Sequence, residues 1–266
     1  MPYVTFERGK AAGRATVLAA LLFALAAAAA PPDAQHILAA SDDVRNPQYP
    51  FSITTTLIEY RDGKQTDSTA LQVYSKAAEN SGQFRSLIRF VAPPRDANKL
   101  MLKNGNDLWF YDPTGKSTIR LSPQQRLLGQ AANGDVVTVN LAKDYRAKLA
   151  GEEDVQDGER QNQHCYKLEL AAAAPDVTYD HIEMWIAAAT SRPIKARYFS
   201  ESGRLLKSAY FRHFQDNLGQ QRPTEMVIID GLNPNWVTVM RYSDFVKRDI
   251  PDTWLQADYL PRFSPE

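Results

Sequence analysis

The sequence predicts a mainly β protein with few, short helices, built on one antiparallel sheet that is either closed into a barrel or strongly curved as a half-barrel. Three observations carry this. Short runs rich in Val, Ile, Thr, Tyr and Phe recur along the chain, parted by turn signals such as Asp62-Gly63, Asn104-Gly105, Ser202-Gly203 and Asp230-Gly231. Several runs alternate: Phe84, Ile88 and Phe90 oppose Arg85 and Arg89, Tyr166, Leu168 and Leu170 oppose Lys167 and Glu169, and Ile194, Ala196 and Tyr198 oppose Lys195 and Arg197. The third is the run Leu108-Trp109-Phe110-Tyr111, closed by Asp112-Pro113. Leu108 and Phe110 point one way and Trp109 and Tyr111 the other, so this strand needs cover on both faces, from protein or from a bound apolar molecule.

The chain opens on a targeting segment. Arg8, Lys10 and Arg14 precede an apolar block from Ala15 to Ala30 broken only by Thr16, and small residues end it before Pro31-Pro32. That order predicts a secretory signal peptide cleaved near Ala30; the block is short and poor in bulky side chains for a span of about 20 apolar residues. Cleavage removes Glu7 with the three cations and leaves 28 basic and 30 acidic residues, net −2. This balance argues against nucleic acid or an anionic membrane surface as partner. Hydrophobic content of 44% and charged content of 23% predict a packed core. Residues 31–266 carry no long or low-complexity linker and are expected to form one domain.

Asp33 to Val44 is the first expected element, a short amphipathic helix: Asp33 is placed to cap it, Ile37, Ala40, Ser41 and Val44 share a face, and Asn46-Pro47 stops it. Strands follow at Phe51 to Tyr60, Leu71 to Ser75, Phe84 to Val91, Leu100 to Lys103, Asp107 to Tyr111 and Ser117 to Leu121. Ser122-Pro123-Gln124-Gln125 then carries three helix-start signals, a cap, a proline at the first position and a capping box, with Leu127 and Leu128 as apolar contacts and Gly129 as the stop. Asn140 to Tyr145 is a second short helical turn. Tyr166 to Leu170, Ile182 to Ile186, Ile194 to Phe199, Leu205 to Phe214, Thr224 to Ile229 and Trp236 to Tyr242 complete the strands.

Chemistry-bearing motifs are sparse. His36, His164, His181 and His213 fall on different elements with no ligand spacing, and His164 and Cys165, adjacent on a strand, point to opposite faces, so no metal site is expected. GxSxG, P-loop and GxGxxG patterns are absent, and no cofactor is expected. Cys165, alone in the chain, excludes an intrachain disulfide and is expected to be a buried inert thiol. Glu152-Glu153-Asp154 is expected to be a solvated strand or loop, and Trp109, Trp185, Trp236 and Trp254 to pack in the core or its rim.

The segment NGNDLWFYDPTGKSTIR from Asn104 to Arg120 resembles the central hairpin of periplasmic lipoprotein carriers of the LolA-like type. Arg89-Phe90-Val91-Ala92-Pro93 before it, Ile119-Arg120-Leu121-Ser122, the stretch from Tyr145 through Gly151-Glu152-Glu153 to Cys165-Tyr166-Lys167-Leu168, and the end from Arg222-Pro223-Thr224 to Tyr259-Leu260-Pro261-Arg262-Phe263 resemble the "outer membrane lipoprotein-sorting protein" branch of that family. The resemblance implies an incomplete, curved antiparallel barrel with short helices as a lid over its concave side. It also implies a non-catalytic periplasmic carrier that shields a lipid or lipoprotein acyl chain between the inner and outer membranes. Partners so implied are an inner-membrane exporter of the RND/MMPL type and an outer-membrane acceptor. The chain is longer than the dedicated lipoprotein carrier toward its C-terminus, so another acyl-chain lipid stands beside lipoprotein as cargo. Expected cavity residues are Ile53, Leu57, Ile88, Phe90, Leu108, Phe110, Leu168, Ile194 and Tyr198; expected lid residues are Ile37, Leu38, Leu127 and Leu128. Arg85 and Arg89 are candidates for the family's lid-locking arginine. Two alternatives belong to other classes: a lipid-binding envelope sensor acting through a protein partner, and an envelope hydrolase with a dispersed site.

Overall fold

The computed structural model describes residues 1–5, 32–105, 107–174 and 176–264; residues 6–30 of the expected signal peptide lie outside them. Residues Pro32–Glu266 pack as one compact unit. Helix α1 (Ala34–Arg45) starts where Asp33 accepts the Gln35 amide and ends at Asn46. Strands β1 (Phe51–Arg61), β2 (Lys64–Ala77), β3 (Phe84–Ala92), β4 (Leu100–Asn104), β5 (Asp107–Asp112) and β6 (Ser117–Arg120) form a meander. Asp62 and Gly63 both take positive φ, 50° and 75°, as a two-residue hairpin turn requires. A small hairpin of β7 (Arg126–Leu128) and β8 (Ala131–Ala132) and a single turn, α2 (Leu141–Asp144), follow. A second meander completes the chain: β9 (Tyr145–Gln156), β10 (Asn162–Ala172), β11 (His181–Ala187), β12 (Pro193–Phe199), β13 (Leu205–Asn217), β14 (Gln220–Asp230) and β15 (Trp236–Lys247).

Thirteen of these strands form one antiparallel sheet, ordered β6-β5-β4-β3-β2-β1-β15-β14-β13-β12-β11-β10-β9. β1 pairs with β15, Thr55 opposite Tyr242, which joins the two meanders. β6 and β9 are edges, so the sheet curves without closing, as a half-barrel.

One expectation is corrected, and the acid cluster takes the first of its two expected forms, a solvated strand. Ser122 to Gln125 forms no helix: the Ser122 hydroxyl accepts the Gln124 amide in a turn, and the chain reverses at Gly129, whose φ is +55°, to pair Leu128 with Ala131. The few residues before the glycine stop are too short a run to repay helix nucleation, and the hairpin seats them on the sheet instead. The acid cluster belongs to β9, a largely exposed edge strand.

Apolar side chains collect on both faces. The concave core includes Leu57, Leu71, Val73, Ile88, Met101, Leu168, Leu170, Ile182 and Met184, all at most 1% exposed. Behind β2–β5, on the convex face, Tyr74, Leu87, Leu100, Leu102 and Tyr111 pack with Ile250, Leu255 and Leu260 of the C-terminal segment, joined by Trp109, Trp254 and Phe263. Trp254 meets Tyr74 and Phe263 edge-on at 5.5 and 4.9 Å. Leu108 and Phe110 thus face the concave core, and protein covers Trp109 and Tyr111. Asp252 pins the C-terminal segment through Arg85 at 2.6 Å and Lys76 at 3.2 Å.

Candidate functional site

The connection from β6 to β9 joins opposite edges of the sheet, so it has to cross a face, and it crosses the concave one. Leu127, Leu128, Ala131, Val136 and Val137 of this segment pack on the concave core beside Leu38 of α1. Together α1 and residues 121–144 form a lid. Close approach is enforced at Gly129, where a Cβ would lie 2.2 Å from the Thr238 hydroxyl, and at Gly134, where one would lie 2.0 Å from the Thr178 hydroxyl.

Polar latches hold the lid. Lys207 of β13, 3% exposed, donates to the Gln130 carbonyl at 3.0 Å and forms an ion pair with Asp135. The Asp135 carboxylate also accepts Tyr179 Oη at 2.8 Å and the Ala132 amide at 2.7 Å. Burial draws the Lys207 ammonium below the ordinary lysine range, with the Asp135 carboxylate opposing it. The Thr238 hydroxyl accepts the Gln130 amide at 2.7 Å. At the other end, Gln35 of α1 donates to the carbonyls of Ala142 and Tyr145 and accepts the Ala147 amide. Asp42 accepts the Ala142 amide at 2.7 Å while paired with Arg45; burial pushes its carboxyl above the usual range and Arg45 works against that.

Beneath the lid lies a cavity of about 140 Å³. Ile53, Ile182, Phe211, Met226, Val136, Val137 and Val139 give it apolar walls, and Tyr145, Tyr179, Tyr198 and Tyr242 add four phenols. Burial raises the pKa of each of the four tyrosines. The phenols therefore stay neutral and serve as hydrogen-bonding walls; Tyr145, for example, donates to the Tyr179 carbonyl at 3.0 Å.

Of the expected cavity residues, Ile53 and Tyr198 line this space. Leu57, Ile88, Phe90, Leu108, Phe110 and Leu168 are in the same concave core, as are Ile37, Leu38, Leu127 and Leu128 from the lid. Ile194 is a correction: it packs with Cys165, Trp185 and Ala187 on the convex side. The β11–β12 register shifts between Trp185 and Ile186, which now pair with Lys195 and Pro193, and the bulge turns Ile194 over. Arg85 and Arg89 are also corrected. They bond Asp252 and Asn98 away from the lid; the sheet cations that reach the lid include Lys207, on the Gln130 carbonyl, and Arg222 of β14, on the Asp43 and Val44 carbonyls of α1. Sequence reasoning missed Lys207, Asp135, Tyr179 and Tyr242; Lys207 carries no local signal, because its partner is 72 residues distant.

Among the described residues no group of three or more His, Cys, Asp or Glu is arranged to hold a metal ion. No described helix is long and apolar enough to cross a membrane. Cys165 is fully buried, and burial raises its thiol pKa to about 11. His164 is exposed between Asp154 at 3.0 Å and Glu152 at 2.9 Å, which raise its pKa above the ordinary 6.5. The contact therefore adds stability below about pH 6.5 and loses it as pH rises through the raised value. An NMR titration of the His164 ring is expected to show a midpoint above 6.5; a midpoint at or below it would contradict this arrangement.

The family whose model matches residues 82–262 is described as an uncharacterized protein. No curated protein matches the chain. A LolA superfamily protein from Nitrosomonas europaea is 35% identical, with 86% of this chain and 100% of that chain covered and a TM-score of 0.77. The chain belongs to the LolA superfamily. Two more distant structures share the fold of this LolA superfamily member. A DUF1329 family protein from Desulfovibrio piger is 22% identical over 85% of this chain and 97% of that one, with a TM-score of 0.72. A Vibrio parahaemolyticus domain described as an outer membrane lipoprotein-sorting protein is 17% identical over 86% and 98%, also at 0.72.

Proposed function

We propose that this protein is a non-catalytic periplasmic carrier, exported with cleavage near Ala30, that shields a lipid or lipoprotein acyl chain between the inner and outer membranes. An inner-membrane exporter of the RND/MMPL type would load it and an outer-membrane acceptor would unload it. The observation that carries the reading is a lid laid over an apolar concave face and held there by discrete polar latches, with unfilled space beneath it. The lid segment is tied at its ends, where Leu121 donates to the Leu108 carbonyl and the Asp144 carbonyl accepts the Ala173 amide, while residues 122–143 form no strand pairing with the large sheet and can lift without breaking a ladder of it.

The cavity of about 140 Å³ is smaller than the roughly 300–1,000 Å³ of ligand pockets. A guest chain therefore takes the place of lid side chains such as Val136, Val137, Leu127 and Leu128. Each CH₂ it buries contributes about 0.8 kcal/mol, offset by the lid contacts it displaces. That near-balance suits a carrier, which has to release what it binds. The expected result is lipid copurifying with the periplasmic protein in native mass spectrometry, and uptake of a fluorescent acyl probe. Absence of both would refute the reading.

The small cavity also favours a second reading, a lipid-responsive envelope sensor that acts through a protein partner. A carrier moves cargo between two membranes in a reconstituted assay. A sensor binds the probe, transfers nothing and retains a membrane-anchored regulator.

A further inference from the structure

A second, larger concavity lies on the convex face, away from the lid. The β9–β10 hairpin arches back over β11–β13. Its tip lands on β13, where Glu159 accepts the His213 amide at 2.7 Å. His213 takes a φ of +55° and drops out of the β13–β14 pairing, with the register unchanged on either side, which leaves its amide to Glu159. Gly158 lies against Arg212, where a Cβ would come within 3.0 Å of Arg212 Cδ. The arch encloses a groove of about 720 Å³, within the range of ligand sites.

Cations and aromatics alternate across the groove floor. Cross-strand pairing sets Lys167 beside Trp185, Trp185 beside Lys195 and Lys195 beside Tyr210. Lys167 and Lys195 Nζ lie 5.1 and 4.9 Å from the Trp185 ring, and Lys195 lies 5.6 Å from Tyr210. Lys167 and Arg197 share one carboxylate, Glu183, at 3.0 and 3.6 Å. Arg212 pairs with Glu225. Among the described residues no carboxylate lies within ion-pair distance of Lys195. The wall supplied by the arch is acidic, but its carboxylates are already hydrogen-bonded. Glu153 accepts the Trp185 indole N–H, Asp154 holds His164, and Asp157 accepts the Glu159 and Gln161 amides and Gln163 Nε2. These oxygens keep lone pairs for hydroxyl donors but repel a second anion.

We propose that this groove binds the phosphate ester of a polyol, with the phosphate on Lys195 and Arg197 and the hydroxyls toward Glu153 and Asp157. Half-buried Tyr210 offers its ring to the polyol C–H groups. The site stands independently of the lid cavity.

The test is calorimetric titration of the full chain with glycerol 3-phosphate and with inorganic phosphate, together with flotation on phosphatidylglycerol and phosphatidylcholine vesicles. Saturable binding of glycerol 3-phosphate is expected, weakened about tenfold or more by Lys195→Gln. Lys195→Arg should restore binding to within about threefold, because it keeps the charge. Lys64→Gln, at the exposed start of β2, should leave binding unchanged, and acyl-probe uptake should stay the same in all three variants. Binding of the free ester assigns a soluble ligand. Binding confined to phosphatidylglycerol vesicles and lost with Lys195→Gln assigns the lipid headgroup. No saturable binding in either format, insensitivity to Lys195→Gln, or inorganic phosphate binding as tightly as the ester would each overturn the assignment.

Discussion

Replacing Lys207 with methionine is expected to destabilise the protein by about 3–5 kcal/mol, because it leaves a buried carboxylate without its counter-charge. Asp135 would keep the Tyr179 hydroxyl and the Ala132 amide but lose its ammonium partner, and the Gln130 carbonyl would lose a donor. Adding Asp135→Asn should recover more than half of the loss, since a neutral pair no longer carries a stranded charge. Urea unfolding measures both variants, and an unchanged slope would show that the folded state kept its extent. Because the pair ties the lid to β13, the single variant should also take up an acyl probe faster than wild type at a urea concentration well below its midpoint. A Lys207→Met protein within 1 kcal/mol of wild type, with unchanged uptake, would remove Lys207 from the latch.

The second large effect concerns the C-terminal segment. Leu255→Ala is expected to cost about 2–5 kcal/mol, the range for a fully buried leucine whose site cannot collapse. Ending the chain after Ile250 should do more. Trp254, Leu255, Leu260 and Phe263 would leave together and uncover Tyr74, Leu87, Leu100, Leu102, Trp109 and Tyr111 as one apolar patch. Aggregation on refolding, or loss of a cooperative unfolding transition, is the expected outcome. A truncated chain that stays monomeric with an unchanged midpoint would show that this cover is dispensable.

Much of the sheet was legible because its signals are local. The Asp62-Gly63 turn, the alternation of Phe84, Ile88 and Phe90 and that of Tyr166, Leu168 and Leu170 each need only a few neighbouring residues. The lid over the concave side came from the resemblance, not from periodicity. The errors mark where distance takes over. Period-2 counting assumes an unbroken ladder, so the bulge opposite Trp185 and Ile186 sent Ile194 to the wrong face. The capping signals at Ser122–Gln125 are real, since Ser122 does accept a nearby amide, but the hairpin packs Leu127 and Leu128 on a sheet that local sequence does not reveal. Lys207 stands in an ordinary strand sequence, and nothing within several residues shows that its ammonium will be sealed from water against Asp135. The phenols of Tyr179 and Tyr242 converge only once the sheet has curved.

The pairing of β1 with β15 has a bearing on how the chain reaches its final form. Contacts such as Thr55 with Tyr242 span almost the entire folded unit. Each flanking meander can zip up from neighbouring strands, but the seam between them waits for the last strand to emerge. Ordering so long a loop before any reward makes that step slow. A polypeptide synthesised from its N-terminus therefore cannot close this seam until β15 has been made.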